Sequence, residues 1–251
     1  RLRDVFDPQG FDPLLDERGF TLTMADATAA VLVPPLLDVL ERDHGAVTLR
    51  VEPLTSRDPR PQLERGSGDV AIGFFPDVAR VLAAAAGHDE FHIDALYGCE
   101  YVCVMRRGHP LARHDGLSLD DYCNARHVRV SFAGRTHGYV DEALAKLGRS
   151  RRVVLTVNHF STAAQVVQRS DLLTVFPRSY VPVSGVARDL VMRQVPFALP
   201  RIDVGMLWHR RHEREPGHRW LRGLITREAA RAVGARPAGD QSVPETAEAA
   251  G

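Results

Sequence analysis

The fold class is clearest from residues 20–76, FTLTMADATAAVLVPPLLDVLERDHGAVTLRVEPLTSRDPRPQLERGSGDVAIGFFP. Its hydrophobic pattern predicts a strand, a helix, a strand, a short helix and a strand, in that order. Thr21–Met24 alternates polar and apolar side chains, whereas Thr28–Asp43 has apolar residues at helical spacing. This alternation indicates an α/β fold with parallel strands joined by right-handed crossovers.

The first turn of this stretch is a candidate ligand site. Ala25, Asp26 and Thr28 lie where a strand ends and a helix begins. Ligands bind at such turns in open α/β sheets, because the helix start offers unpaired backbone N–H groups. The alternative is that Asp26 or Thr28 only caps its own helix. An alanine at position 25 offers no side-chain donor, and the charge of Asp26 lies close to where an anion would bind.

A second unit of the same kind follows. Segments 101–105, 127–132, 153–157 and 172–176 are predicted strands, 139–147 and 162–169 predicted helices, and 203–208 and 217–233 a final strand and helix. We predict two Rossmann-like subdomains joined by two crossover strands, near residues 91–101 and 196–206. The predicted organisation is a linker over 1–16, subdomain I over 17–96 and 203–233, subdomain II over 97–202, and a disordered tail over 234–251.

Composition excludes several classes of protein. Lys and Arg number 32, as do Asp and Glu, so the chain lacks the basic excess of a domain that itself grips nucleic acid. The sequence contains no apolar run of the roughly 20 residues that span a bilayer, and it opens on RLRDVFDPQG rather than on a secretory signal. Three cysteines cannot all pair. We therefore expect a cytoplasmic protein without a membrane association.

Several segments together resemble the effector-sensing domain of LysR-type transcriptional regulators. They are LVPPLL (32–37), LERG (63–66), GDVAIG (68–73), YVCV (101–104), GHPLA (108–112), LSLDDY (117–122), LWH (207–209), EPG (215–217) and WLR (220–222). The closing segments resemble the branch that includes the salicylate, nitrotoluene and nodulation-flavonoid regulators. The resemblance extends over residues 17–225.

The resemblance implies a fold like that of type 2 periplasmic binding proteins, with a small-molecule effector, here an aromatic or other organic acid, between the subdomains. It also implies a homodimer or homotetramer that binds DNA through an N-terminal winged helix-turn-helix missing from this chain. Histidines that match His127 and His159 contribute to the effector cavity in this branch. The alternative for each is a capping or core-edge histidine that makes a backbone hydrogen bond, and Phe160 follows His159 at a predicted helix start.

Four further residues are weaker candidates for effector binding. Phe74 and Phe176 each end a predicted strand and would offer an aromatic wall, although core closure explains them equally well. Thr136 lies in a Gly-rich turn, and Arg201 lies at the second crossing, where it would pair with an acidic effector or simply face solvent.

No metal, cofactor or enzymatic activity is expected. His209, His212 and His218 include a ligand-like spacing, but arginines crowd them with positive charge, and such a spacing is by itself weak evidence for a metal. The sequence also lacks the GxSxG, HExxH, P-loop and dinucleotide-binding motifs. The alternatives to a sensor are a solute-binding protein of a transporter and an enzyme on the same two-domain fold.

Overall fold

The computed structural model describes residues 10–43, 45–85, 87, 89–131 and 137–234. The strands are β1 (Arg18–Met24), β2 (Val47–Pro53), β3 (Val70–Phe74), β4 (Phe91–Cys99), β5 (Tyr101–Arg106), β6 (Arg126–Val130), β7 (Arg152–Val157), β8 (Leu172–Pro177), β9 (Leu190–Gln194) and β10 (Ile202–His209). The helices are α1 (Asp26–Asp43), α2 (Arg60–Glu64), α3 (Pro76–Ala84), α4 (Leu119–Asn124), α5 (Tyr139–Lys146), α6 (Phe160–Gln168) and α7 (Pro216–Gly234).

The strands form two five-stranded sheets. The sheet of lobe I has the order β2-β1-β3-β10-β4, and that of lobe II has the order β7-β6-β8-β5-β9. In lobe I, β1 pairs in parallel with β2 and β3, as the alternating pattern predicts, while β10 runs antiparallel to β3 and β4. In lobe II, β6 is parallel to β7 and β8, while β5 is antiparallel to β8 and β9. The predicted α/β class with two Rossmann-like units is confirmed.

The chain passes twice between the lobes. Glu100 alone separates β4 from β5, and residues 195–201 connect β9 to β10. Both passages coincide with the predicted crossings near 91–101 and 196–206. The boundaries of the two subdomains stay a prediction, which this change of sheet supports.

Burial follows the hydrophobic pattern of the opening stretch. Leu22 and Ile72 on the strands, and Leu32 and Leu36 on α1, are fully buried in one cluster with Trp208 of β10. Removing this much apolar surface from water is the main force that holds lobe I together. Among the described helices, none is long and apolar enough to cross a membrane.

The structure describes part of the predicted N-terminal linker but almost none of the predicted C-terminal tail. The predicted linker, residues 1–16, is described only from residue 10, and Phe11 packs on Trp220 of α7 with 5.4 Å between ring centroids. Of the predicted tail over 234–251, only Gly234 is described, as the last residue of α7, and the rest lies outside the described residues.

Because two histidines are buried in the domain, we expect its free energy of unfolding to fall in weak acid. His127 and His218 are fully buried, and desolvation lowers the pKa of each to about 4. The unfolded chain binds these protons near pH 6.5, so stability is fully present above that pH and falls as pH drops from about 6.5 to about 4. We expect each histidine to cost about 2 kcal/mol between pH 7 and pH 5. Urea unfolding of the parent and of His127→Gln at both pH values checks this. If both proteins lost the same free energy of unfolding between pH 7 and pH 5, the prediction would be contradicted.

Candidate functional site

A cavity of about 170 Å³ lies between the two lobes. Lobe I contributes the start of α1, the loop after β2 and the ends of β3, β4 and β10, whereas lobe II contributes β6, β8 and the starts of α5 and α6. An apolar cavity of about 150 Å³ is large enough to hold benzene. The space therefore suits a ligand built on a single ring.

Aromatic side chains form much of the wall. Phe74 of lobe I meets Tyr139 of lobe II with 5.4 Å between ring centroids. Tyr97 and Tyr101 flank the first passage between the lobes and also line the cavity. Burial raises the pKa of both phenols above the ordinary value, so they stay neutral and act as hydrogen-bond donors or acceptors.

Three arginines line the cavity, and no Asp or Glu does so among the described residues. Two of them belong to lobe II: Arg151, whose side chain is 4% exposed, and Arg129, 16% exposed. Asp141 stands behind them, 2.8 Å from Nε of Arg151 and 3.7 Å from a terminal nitrogen of Arg129. Burial opposes the ionisation of Asp141, but the hydrogen bond and charge of Arg151 outweigh it and lower its pKa. One carboxylate thus faces two guanidinium groups.

The third arginine, Arg57, reaches the cavity from the loop after β2. Its guanidinium carbon lies 4.1 Å above the ring centroid of Tyr139, which belongs to the other lobe. The neighbouring carboxylate, Asp58, is bonded to Arg60 instead. Within the described ranges Arg57 forms no ion pair, and this leaves its charge available to an anionic ligand.

Asp26 crosses from lobe I to lobe II. Its Oδ1 accepts a hydrogen bond from the backbone N–H of Phe160 at 3.0 Å, and its Oδ2 accepts one from the N–H of Ser161 at 2.9 Å. Phe160 and Ser161 begin α6, whose preceding residue, His159, makes no capping bond with its side chain. Asp26 therefore caps a helix of the other lobe rather than its own.

The structure places the residues predicted to bind the effector in two groups. Ala25, Thr28, Phe74 and Phe160 line the cavity. The cavity wall does not include Asp26, His127, His159, Phe176 or Arg201, and Thr136 lies outside the described residues. The role of each residue in effector contact stays a prediction.

Two of the residues outside the wall are buried in the core. His127 is fully buried beneath Tyr122, with Nε2 at 2.8 Å from the carbonyl oxygen of that residue. Phe176 is fully buried and packs edge-on against Tyr180, with ring centroids 5.4 Å apart. Both side chains point into the lobe because strand neighbours alternate between the two faces of a sheet.

The other two face solvent. His159 is exposed at the start of α6. The side chain of Arg201 is 71% exposed and lies 3.4 Å from a carboxylate oxygen of Asp203. It also covers Gly98, where an added Cβ would come within 2.5 Å of its guanidinium.

The arginines and tyrosines of the wall were missed by sequence reasoning. Arg57 follows the carboxyl end of β2, and the rule that ligands bind at such strand ends would have found it. Arg151 precedes β7 and enters the cavity because Asp141, ten residues earlier, holds it there. No local sequence signal marks that contact. Among the described residues, no group of three or more His, Cys, Asp or Glu is arranged to hold a metal ion.

Comparison with known proteins identifies the family. Residues 15–230 match the model of the LysR substrate binding domain. The chain is 32% identical over 217 residues to the HTH-type transcriptional activator NahR of Pseudomonas putida, covering 86% of this chain and 69% of that protein. It is 29% identical to the HTH-type transcriptional activator NagR of Ralstonia sp., covering 86% of this chain and 68% of that one. These relatives are transcriptional regulators rather than enzymes, and they give the transport alternative no support.

Solved structures agree with this assignment. The regulatory domain of MexT, a transcriptional activator in Pseudomonas aeruginosa, superimposes with a TM-score of 0.70 at 25% identity over 85% of this chain and 98% of that one. The probable transcriptional regulator PA0477 of the same species gives a TM-score of 0.73 at 26% identity over 86% of this chain and 68% of that one. The chain therefore belongs to the LysR-type transcriptional regulators, of which it forms the effector-binding domain.

Proposed function

We propose that this domain senses a small aromatic carboxylic acid held in the cavity between its lobes. The observation that carries the proposal is the composition of the wall, which combines aromatic rings with three guanidinium groups and, among the described residues, no carboxylate. Rings provide an apolar surface for a flat ligand, and arginine binds carboxylates through paired N–H donors.

The charges in the wall support an anionic ligand. Asp141 is shared between Arg129 and Arg151, and Arg57 forms no ion pair with a carboxylate among the described residues. The charge of Arg57 in a partly closed cavity costs desolvation energy, which a bound anion offsets. We therefore place the acid group of the effector at the arginine side of the cavity, which is the part lined by Arg57, Arg129 and Arg151.

The distribution of these groups over both lobes provides the means of signalling. Arg57 belongs to lobe I, whereas Arg129, Arg151 and Tyr139 belong to lobe II. A ligand that contacts both lobes binds one relative arrangement of them better than another and shifts the population towards it. Without such a difference in affinity a ligand signals nothing, however tightly it binds.

The output is transcription, through parts outside this chain. NahR and NagR are named HTH-type transcriptional activators, so we propose that a helix-turn-helix domain joined to this one contacts DNA. We also propose that the protein works as a homodimer or homotetramer. Apolar side chains exposed on the edge strands, Val51 of β2 and Val154 and Leu155 of β7, support this assembly.

Calorimetric titration with benzoate, 2-hydroxybenzoate and the neutral benzamide tests the proposal. We expect both acids to bind about 10–100-fold more tightly than benzamide, because hydrogen bonds to charged groups contribute about 1.5–3 kcal/mol. Cyclohexanecarboxylate, which keeps the charge but loses the ring, should bind more weakly than benzoate. Equal affinities for benzoate and benzamide, or binding of neither acid at millimolar concentration, would exclude an aromatic acid of this size.

A further inference from the structure

The hydrogen bonds of Asp26 join parts of the chain that are 134 and 135 residues apart. Both oxygens of one carboxylate are used, each by a backbone N–H of the first turn of α6. A helix start carries a partial positive charge and free N–H groups, so it attracts a carboxylate. In this protein the carboxylate comes from the opposite lobe.

Packing holds Asp26 in this position. Ala27, the next residue of α1, is 4% exposed and belongs to a core cluster that otherwise consists of lobe II residues, among them Val128 and Ala163. The first turn of α1 is therefore buried against lobe II, where Ala30 also packs, although most of α1 packs on the sheet of lobe I. Separating the lobes at this point would expose Ala27 and leave the first N–H groups of α6 without their partner.

We infer that Asp26 is a specificity-determining and lobe-coupling residue, whose carboxylate fills the helix start that an acidic effector would otherwise bind. The inference rests on the proposed function. Ala25, which precedes α1, and Thr28, in the first turn of α1, line the cavity on either side of Asp26 along the chain. An acid group placed at this end would lie close to the like charge of Asp26, which disfavours it. Asp26 thus directs the acid group of the effector to the arginine side and holds the lobes together where the ligand's apolar end lies.

The first experiment removes the carboxylate and returns it as a small molecule. Asp26→Ala should expand the ligand-free domain in small-angle X-ray scattering and lower its melting temperature, because α6 loses its cap and its tie to α1. Formate should reverse both changes when compared with chloride at equal ionic strength, since formate replaces the missing group. The parent should show no such difference between formate and chloride.

Matched variants separate this effect from general loss of stability. Asp77→Ala removes another first-turn aspartate, one that is exposed on α3 and paired within its own helix to Arg80, so it should not respond to formate. Asp26→Asn keeps one acceptor oxygen and has no space for formate. It should therefore have an intermediate radius of gyration that formate does not change. A formate response of Asp26→Ala no larger than that of the parent would overturn the inference, as would an Asp26→Asn variant with parental dimensions and stability.

The second experiment tests specificity. In the parent, benzene-1,3- and benzene-1,4-dicarboxylate should bind more weakly than benzoate, because the second acid group meets Asp26. In Asp26→Ala that group enters the vacated helix start, so the ratio of dicarboxylate to benzoate affinity should rise at least about tenfold. An unchanged ratio would show that Asp26 does not select the ligand. The formate and scattering results need no aromatic acid, so failure of benzoate to bind the parent would remove the proposed function without deciding the coupling by Asp26.

Discussion

Replacement of Asp141 by alanine is expected to lower the free energy of unfolding by about 3–5 kcal/mol, because it leaves a buried arginine without its counter-ion. The side chain of Arg151 is 4% exposed, and its only carboxylate partner among the described residues is Asp141, at 2.8 Å. The same carboxylate accepts the backbone N–H of Gly138 at 3.0 Å, at the start of α5. Its loss therefore removes a helix cap as well as an ion pair. A typical domain is stable by only about 5–15 kcal/mol, so the variant would be close to unfolding.

Chemical denaturation by urea measures this effect. Asp77→Ala is the matched control, because it breaks an ion pair in which both side chains are more than 70% exposed, and such pairs contribute at most about 1 kcal/mol. Asp141→Asn keeps an acceptor for Gly138 but loses the charge, so we expect an intermediate value. If Asp141→Ala were as stable as Asp77→Ala, Asp141 would not be the group that balances the charge of Arg151, and the prediction would be wrong.

Replacement of Arg57 by alanine is expected to weaken the binding of benzoate by about 10–100-fold and to leave the binding of benzamide nearly unchanged. Arg57 stacks on Tyr139 of the other lobe and has no ion-pair partner among the described residues. Its removal therefore deprives the ligand of a charged partner, and no carboxylate of the protein loses an ion-pair partner. Arg57→Lys keeps the charge but loses the planar fork and much of the stacking, so it should restore only part of the affinity.

Isothermal titration calorimetry with both ligands checks the second prediction. Arg80→Ala, which removes an exposed arginine of α3 that is paired with Asp77, controls for the change in net charge. The dependence of benzoate affinity on salt should also become shallower in Arg57→Ala, because one charge fewer attracts the anion. An equal loss for benzoate and benzamide would assign Arg57 to the shape of the cavity instead of to recognition of the acid group.

Much of the fold follows from local patterns. The periods of about 3.6 and 2 residues predicted α1 and β1 within a few residues of their observed ends, and they predicted β2 and β3 in their correct order, because these periods reflect which side chains share one face of an element. Short or polar elements were missed. The helices α3 and α4 and the strand β9 have at most nine residues each, and they pack against or pair with elements that are distant in sequence.

The candidate site was only partly predictable. Ala25, Thr28, Phe74 and Phe160 lie at strand ends or helix starts, the positions that the general rule for α/β ligand sites favours, and the structure brings them to one cavity. The arginine side of the cavity could not be predicted in the same way. Arg129 lies within a strand and Arg151 before one, and neither position is distinctive without knowledge of which face meets the other lobe.

Asp26 marks the boundary between what the sequence alone determined and what required the tertiary structure. The order and type of the main elements, the α/β class, the family and the presence of an aspartate at a strand–helix turn all follow from local sequence patterns. The sequence suggested only two roles for that aspartate, as a cap of α1 or as a ligand contact. Only the packing of the two lobes decided that Asp26 caps α6 instead. Periodicity and capping preferences are properties of neighbours along the chain, whereas a contact across 134 residues depends on how two separately formed sheets are placed against each other.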